Sequence, residues 1–257
     1  MQSEIEVKES FKLLVIASLL TVALWFVPFA GVITYPIRLF GTLIHEAGHA
    51  IAALVTFGSV DRIVMDWDGN GLTLARVIWR LPYISGGYLA TMFYGAGLLL
   101  LLRRQRNART VAIGTGVLLL LITIFFAGNI VAWLTGLVFG IGCLALAVKG
   151  KPKVTHFLMS FLAVQCVLNA LYDLRVLLFL SAYDSNIPND AKFMSEATGG
   201  FIPPVIWAIG WSMLAVAMLV GTLVIYYRSL RRRAEAVEMQ LPTLLTDHSA
   251  NISQPHL

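Results

Sequence analysis

An all-α integral membrane protein of about seven transmembrane helices, with one small β-hairpin inserted after a motif-bearing helix, is the fold class this sequence predicts. Three observations predict it. Hydrophobic residues make up 58% of the 257 and charged residues only 13%, with a mean hydropathy of +0.79, far from the balance of a soluble domain. Apolar runs near or above the roughly 20 residues that a crossing needs recur along the chain. One of the breaks between them shows strand-like alternation around a turn-forming tetrapeptide.

The spans fall at 11–31, 36–58, 82–102, 111–126, 128–148, 155–180 and 203–227. Residues 1–10 form an extension of mixed charge (Glu4, Glu6, Lys8, Glu9). The run that follows is longer than a signal-peptide core and ends without an A-x-A site, so it is expected to stay as a helix. Between the second and third spans, Arg62–Trp67 and Leu72–Val77 flank Asp68-Gly-Asn-Gly71, whose residues accept positive φ, and this reads as a β-hairpin. Only Gly128-Asn129 divides the fourth span from the fifth, which implies a tight helical hairpin. The domain organisation is therefore a single membrane domain over 11–227, followed by a tail, 228–257, that is basic and then polar and expected to be disordered. No stretch remains for a soluble or peptide-binding module.

Charge patterning tests the count. Arg103, Arg104, Arg106 and Arg109 follow the third span, Lys149, Lys151 and Lys153 the fifth, and Arg228 with Arg231–Arg233 the seventh. Seven crossings put all three clusters on one face, and the positive-inside rule makes that face and the C-terminus cytosolic. The hairpin then lies on the opposite face. The formal charge of +5 reports orientation against a lipid bilayer, and nucleic acid is set aside as a partner. Cys143 and Cys166 both sit in apolar spans and form no C-x-x-C pair, so no disulfide framework is expected.

The second span carries His45-Glu46-Ala47-Gly48-His49. On a helix, residues four apart lie about 40° apart in azimuth and roughly 6 Å apart along the axis, so both imidazoles can reach one metal. Glu46, next to the first ligand, can act as general base toward a water at the open position of a Zn2+ site. Three ionisable groups within five residues of a membrane helix cost roughly 2.5 to 3.5 kcal/mol each on insertion scales unless a divalent cation compensates them. The competing reading is a polar patch packed in a helix bundle without metal.

A catalytic zinc takes three protein ligands, so one more must come from elsewhere. Outside the motif, Asp173 is the one acid deep within an apolar run, and Asn169, four residues earlier, shares its helix face. Asp173 is the expected third ligand and Asn169 a candidate to hold the carboxylate or a substrate carbonyl. The alternative for Asp173 is an ion pair with an arginine, though Arg175 at i+2 faces away from it. Asp66, Asp68, Asp184 and Glu196 are fallback ligands on loops, each more simply read as solvated. His156, His248 and His256 are read as bystanders. The hairpin, beside the motif, is either an ordinary stiffened loop or a strand edge for an extended peptide.

Phe40-Gly-Thr-Leu-Ile-His-Glu-Ala-Gly-His-Ala-Ile-Ala-Ala-Leu54, followed by the hairpin and Ser85-Gly-Gly-Tyr88, resembles the site-2 protease family of intramembrane zinc metallopeptidases, and within it the compact bacterial branch without PDZ domains. Asn169 to Asp173 and Asp190 to Gly199 with Pro203 are similar to further stretches of that branch, so the likeness covers most of 35–215. It implies a multi-pass protein of a bacterial cell membrane, zinc ligands at His45, His49 and Asp173, and Glu46 as catalytic base. The substrate it implies is another membrane protein, expected to be single-span, cut in or near its membrane segment. Two departures stand out: Tyr172-Asp173-Leu174 lacks the glycine that follows the third ligand in better-studied members, and the basic clusters put the hairpin opposite the usual cytosolic opening. The rival from another class is a non-proteolytic membrane protein that keeps a metal site for structure, sensing or transport. Retention of Glu46 counts against it, because a structural zinc needs no general base.

Overall fold

Helix α1 (Ala30–Val55) carries the H-E-x-x-H motif and leads into strands β1 (Ser59–Met65) and β2 (Gly71–Arg76). Helices α2 (Arg80–Leu101), α3 (Ala108–Phe126), α4 (Ile130–Lys149), α5 (Pro152–Tyr183), α6 (Asp190–Ala197) and α7 (Pro204–Ile252) follow. This computed structural model describes residues 30–183 and 187–252, with Lys12, Val15, Ile16, Leu19 and Ala23. The first expected span, 11–31, therefore lies mostly outside the described residues, and so does Asp184.

Five helices are long and apolar enough to cross a membrane: Arg80–Leu101, Gln105–Phe126, Ile130–Lys149, Pro152–Tyr183 and Pro204–Ser229. They correspond to the third through seventh expected spans. Helix α1 is not among them, so seven crossings are not reached among the described residues. Its sequence explains why: Tyr35, Arg38 and Thr42 join His45, Glu46 and His49 along it. The final helix also differs from expectation, because α7 continues through Ile252 where a disordered tail is predicted. Ala234–Leu241 is rich in helix-forming Ala, Glu, Met, Gln and Leu, which favours continuation over the loop that polarity alone suggests.

Helices α1 and α2 pack through glycine. A Cβ on Gly48 would land on the Gly86 carbonyl oxygen, and one on Gly86 would sit 2.7 Å from the Gly48 oxygen and 2.8 Å from Ala52 Cβ. The backbones touch because neither position has a side chain, the contact that small residues permit between membrane helices. Helix α2 is the centre of the bundle, packing also against α5 and α7. Fully buried Phe40, Leu43, Met92, Met159 and Leu174 fill the space between these helices.

The hairpin folds back on α1. Its strands pair antiparallel from Met65 opposite Gly71 to Ser59 opposite Arg76, with an irregularity between Val60 and Arg62. Alternation points Ile63, Met65 and Thr73 inward, all three buried, and leaves Arg62 and Leu72 outside. In the turn, Gly69 has φ 88°, a conformation that L side chains rarely adopt. There Thr42 Oγ1 donates to the Gly69 carbonyl at 2.8 Å and the Tyr35 hydroxyl donates to that of Trp67.

The expected α3–α4 hairpin is present, and its turn is tied to β1. Gly128 N–H donates to Ile63 O at 2.7 Å, and Ala127 bridges Ile63 in parallel fashion. Asn129 caps α4 by accepting from Ala132 N–H, accepts from Met65 N–H, and donates through Nδ2 to Met65 O at 2.7 Å. One amide side chain thus satisfies three backbone groups at once.

Members of two basic clusters meet at the other end of the bundle. Buried His156, near the start of α5, hydrogen-bonds through Nε2 to Leu102 O at 2.7 Å, so the end of α2 and the start of α5 are level. Arg103 and Arg104 share a cavity with Arg228 of α7. His156 thus takes no part in the metal cluster, as expected, and serves as a tether between helices.

Candidate metal centre

The helical spacing of the motif brings His45 Nε2 and His49 Nε2 to 3.1 Å from each other. His49 Nδ1 lies 2.7 Å from the Tyr83 carbonyl oxygen in the first turn of α2. A carbonyl only accepts, so Nδ1 carries the proton and the Nε2 lone pair is left facing His45. Asp190, the first residue of α6, closes the triangle: its Oδ2 is 3.3 Å from His45 Nε2 and 3.6 Å from His49 Nε2. Ligand atoms on a tetrahedral zinc at about 2.0–2.2 Å are separated by roughly 3.3–3.6 Å, close to the edges of this triangle.

Space has been kept for an ion. A Cβ on Gly87 would collide with His45 Nε2 and lie 2.5 Å from His49 Nε2, so a side chain there would take up the room between the imidazoles. Burial alone would push the Asp190 carboxyl up, but its close contacts with the His45 and His49 imidazoles outweigh that and hold it well below the usual carboxylate range. It therefore stays ionised, the state a metal ligand requires.

Local sequence explains how Asp190 arrives. Asn189 caps α6 by accepting from Lys192 N–H at 2.9 Å, and Ala191 and Met194 are buried beneath the helix. Gly199 and Gly200, at φ 70° and 77°, end it and return the chain to α7. The short helix is thereby held against the mouth of the site.

Glu46 is only 4% exposed and accepts a 2.6 Å hydrogen bond at Oε2 from Thr73 Oγ1 of β2. Gly71 lets the hairpin come this close, since a Cβ there would sit 2.7 Å from Glu46 Cγ and Oε1. The Tyr83 hydroxyl donates to the Thr73 carbonyl, so one tyrosine steadies His49 through its own carbonyl and the strand behind Glu46 through its hydroxyl. Tyr88 sets its ring edge-on to His45 at 4.6 Å and stacks on Trp211 of α7 at 5.5 Å, forming an aromatic wall.

Of the five expected site residues, His45, Glu46 and His49 come together in the structure, and the acid that stands at metal-ligand spacing from the two histidines is Asp190 in place of the expected Asp173. Among the described residues the one cluster with metal-ligand spacing is His45, His49 and Asp190, and Asp173 is not part of it. Asp173 lies on α5 within electrostatic range of His45 and Arg38. Asp173 lies deep inside an apolar run, whereas the acid that meets the imidazoles belongs to a short polar helix between two spans. A signal was present in the sequence: Asn189 as a cap, followed by Asp190-Ala-x-x-Met at helical spacing. Asn169 lies against α1, its Nδ2 3.2 Å from where a Cβ on Gly41 would be, one turn before His45. Of the fallback acids described, Asp66, Asp68 and Glu196 are exposed, and Asp68 is used by the hairpin turn, where it accepts from Asn70.

A multi-pass helical bundle built around an H-E-x-x-H metal centre, with a carboxylate from a later helix, defines a class of membrane metallopeptidase. The family model described as Peptidase M50B-like matches residues 14–222, and the chain belongs to this family, which is the site-2 protease family. No curated protein and no solved structure matches the chain.

Proposed function

We propose that the protein is a zinc-dependent endopeptidase that cuts peptide bonds in or beside the membrane segments of other membrane proteins. The observation that carries this reading is the triangle of His45 Nε2, His49 Nε2 and Asp190 Oδ2 with buried Glu46 next to the first of them. His45, His49 and Asp190 would hold the ion, which when bound supplies Lewis acidity and an activated water. Glu46, held by Thr73, takes up a proton and passes it to the departing amine. Asn169, which lies beside Gly41, would donate to the substrate carbonyl.

The hairpin restricts how an extended substrate can add. The outer edge of β1 is occupied by Ala127–Asn129, which leaves β2 as the edge nearest Glu46. Because Thr73 O is taken by Tyr83 and Leu72 pairs with Val64 across the hairpin, the outward main-chain groups nearest Glu46 are those of Gly71. The site lies roughly 10 Å along α2 from its start, close to one end of the bundle, where water can enter.

Co-expression with single-span membrane proteins tests the reading. A substrate should be shortened within or beside its span by the wild-type chain and left intact by Glu46→Gln. Proline or glycine near the cut should speed cleavage, because a helical peptide bond is shielded by its own hydrogen bonds. A broad comparison of membrane proteins that finds no Glu46-dependent fragment, with zinc bound, would replace proteolysis by a non-catalytic metal site.

A further inference from the structure

At the end of the bundle away from the metal centre, Arg103, Arg104 and Arg228 face one cavity of about 570 Å³, walled on its apolar side by Leu100, Leu101 and Ile225. Its volume is within the roughly 300–1,000 Å³ of small-molecule sites. The apolar run of α2 gives way to Arg103 and that of α7 to Arg228, so the cavity sits where both helices leave hydrocarbon for the headgroup layer.

The walls are ordered. Arg103 Nε donates to Leu100 O at 2.7 Å and Asn107 Nδ2 to Leu101 O at 2.8 Å, completing carbonyls at the end of α2, and Ser229 Oγ donates to Tyr226 O at 2.8 Å within α7. Among the described residues no carboxylate pairs with the three arginines, and none lines the cavity. Three guanidinium groups around one space repel one another unless an anion lies between them. Guanidinium forks match phosphate oxygens two at a time, and leucine and isoleucine at the same depth suit the first carbons of acyl chains.

We propose that this cavity binds the phosphodiester headgroup of an anionic phospholipid, which joins the α2–α3 connection to α7. Positive charge at a span end reports orientation in any membrane protein, whereas a shared, apolar-backed cavity adds a specific site.

The full chain, purified in neutral detergent, is titrated with phosphatidylglycerol, phosphatidylcholine and inorganic phosphate. Thermal unfolding and native mass spectrometry are the readouts. Phosphatidylglycerol should raise the unfolding temperature and give one retained adduct, with phosphatidylcholine and phosphate giving neither. Arg104→Ala with Arg228→Ala should weaken the adduct about tenfold or more, while Arg106→Ala with Arg109→Ala, which removes the same charge outside the cavity, should leave it intact. Arg104→Lys with Arg228→Lys keeps the charge and loses the fork, so it too should weaken binding, and it serves if the alanine pair does not fold. Equal loss in the Arg106 and Arg109 pair, equal binding of phosphatidylcholine, or a phosphate adduct with the same arginine dependence and no lipid effect would each overturn the proposal.

Discussion

Thr73 donates its hydroxyl hydrogen to Glu46 Oε2 at 2.6 Å, joining the hairpin to the acid of the H-E-x-x-H motif. The distance is that of a charge-assisted bond, and both residues are buried. Thr73→Val keeps the shape and removes the donor. Activity should fall by roughly 10–100-fold, as when an outer-shell partner is lost, with metal content unchanged and stability lower by about 1 kcal/mol. Thr73→Ser should restore most of the rate. A valine variant with wild-type turnover would show that the contact does not orient Glu46.

Gly87→Ala should abolish metal binding while the helices still assemble. The added methyl would fall against the ligand nitrogens of both histidines, in the room an ion would need. Gly97, on the same helix, has nothing within 4 Å of an added Cβ, and Gly97→Ala is the matched control. Metal analysis of the two purified variants decides it, since equal zinc in both would show that the space beside Gly87 is not the ion's.

Asp190→Ala should reduce zinc affinity by more than the roughly 10–100-fold that loss of an outer-shell partner costs, whereas Asp173→Ala should keep about one zinc per chain. Competition with a chelator of known affinity measures both. The opposite ranking would return the third ligand to α5.

Gly48→Ala should destabilise the fold by about 1–3 kcal/mol, because the methyl would be driven into the backbone of α2 at Gly86. Thermal unfolding in detergent reads this directly, and an unchanged midpoint would mean that α1 and α2 can separate without cost.

Reporters fused after Arg106, Lys151 and Arg233 should all read cytosol. Helices α3 and α4 separate the first two points, and α5 and α7 separate the last two. A reporter inserted at Gly69 should read the opposite face, because α2 lies between the hairpin and Arg103. A cytosolic Gly69 together with cytosolic clusters would show that α2 does not cross as one helix.

The parts of the site that the sequence displays are those fixed by local geometry. His45, Glu46 and His49 are placed by helical spacing alone, and the hairpin by alternation around Asp68-Gly-Asn-Gly71. Asp190 is different: its position depends on how α6 docks, through Ala191 and Met194 burying themselves far along the chain from the motif. The pairing of Thr73 with Glu46 and the threefold use of Asn129 likewise arise only after the hairpin has folded onto α1 and the α3–α4 turn onto the hairpin. Hydropathy identifies five described spans and does not single out α1, whose polar residues serve the site and the hairpin.

Asp190 is also among the last residues of the membrane domain to leave the ribosome, long after His45 and His49. A nascent chain stopped before α6 would hold the two imidazoles without the Asp190 carboxylate, and a two-nitrogen site binds zinc weakly. Chains grow from the N-terminus, so the acid that completes the cluster arrives only when α2 to α5 have already been made. On the proposed ligand set, a product that stops before α6 would therefore carry the motif without a completed centre.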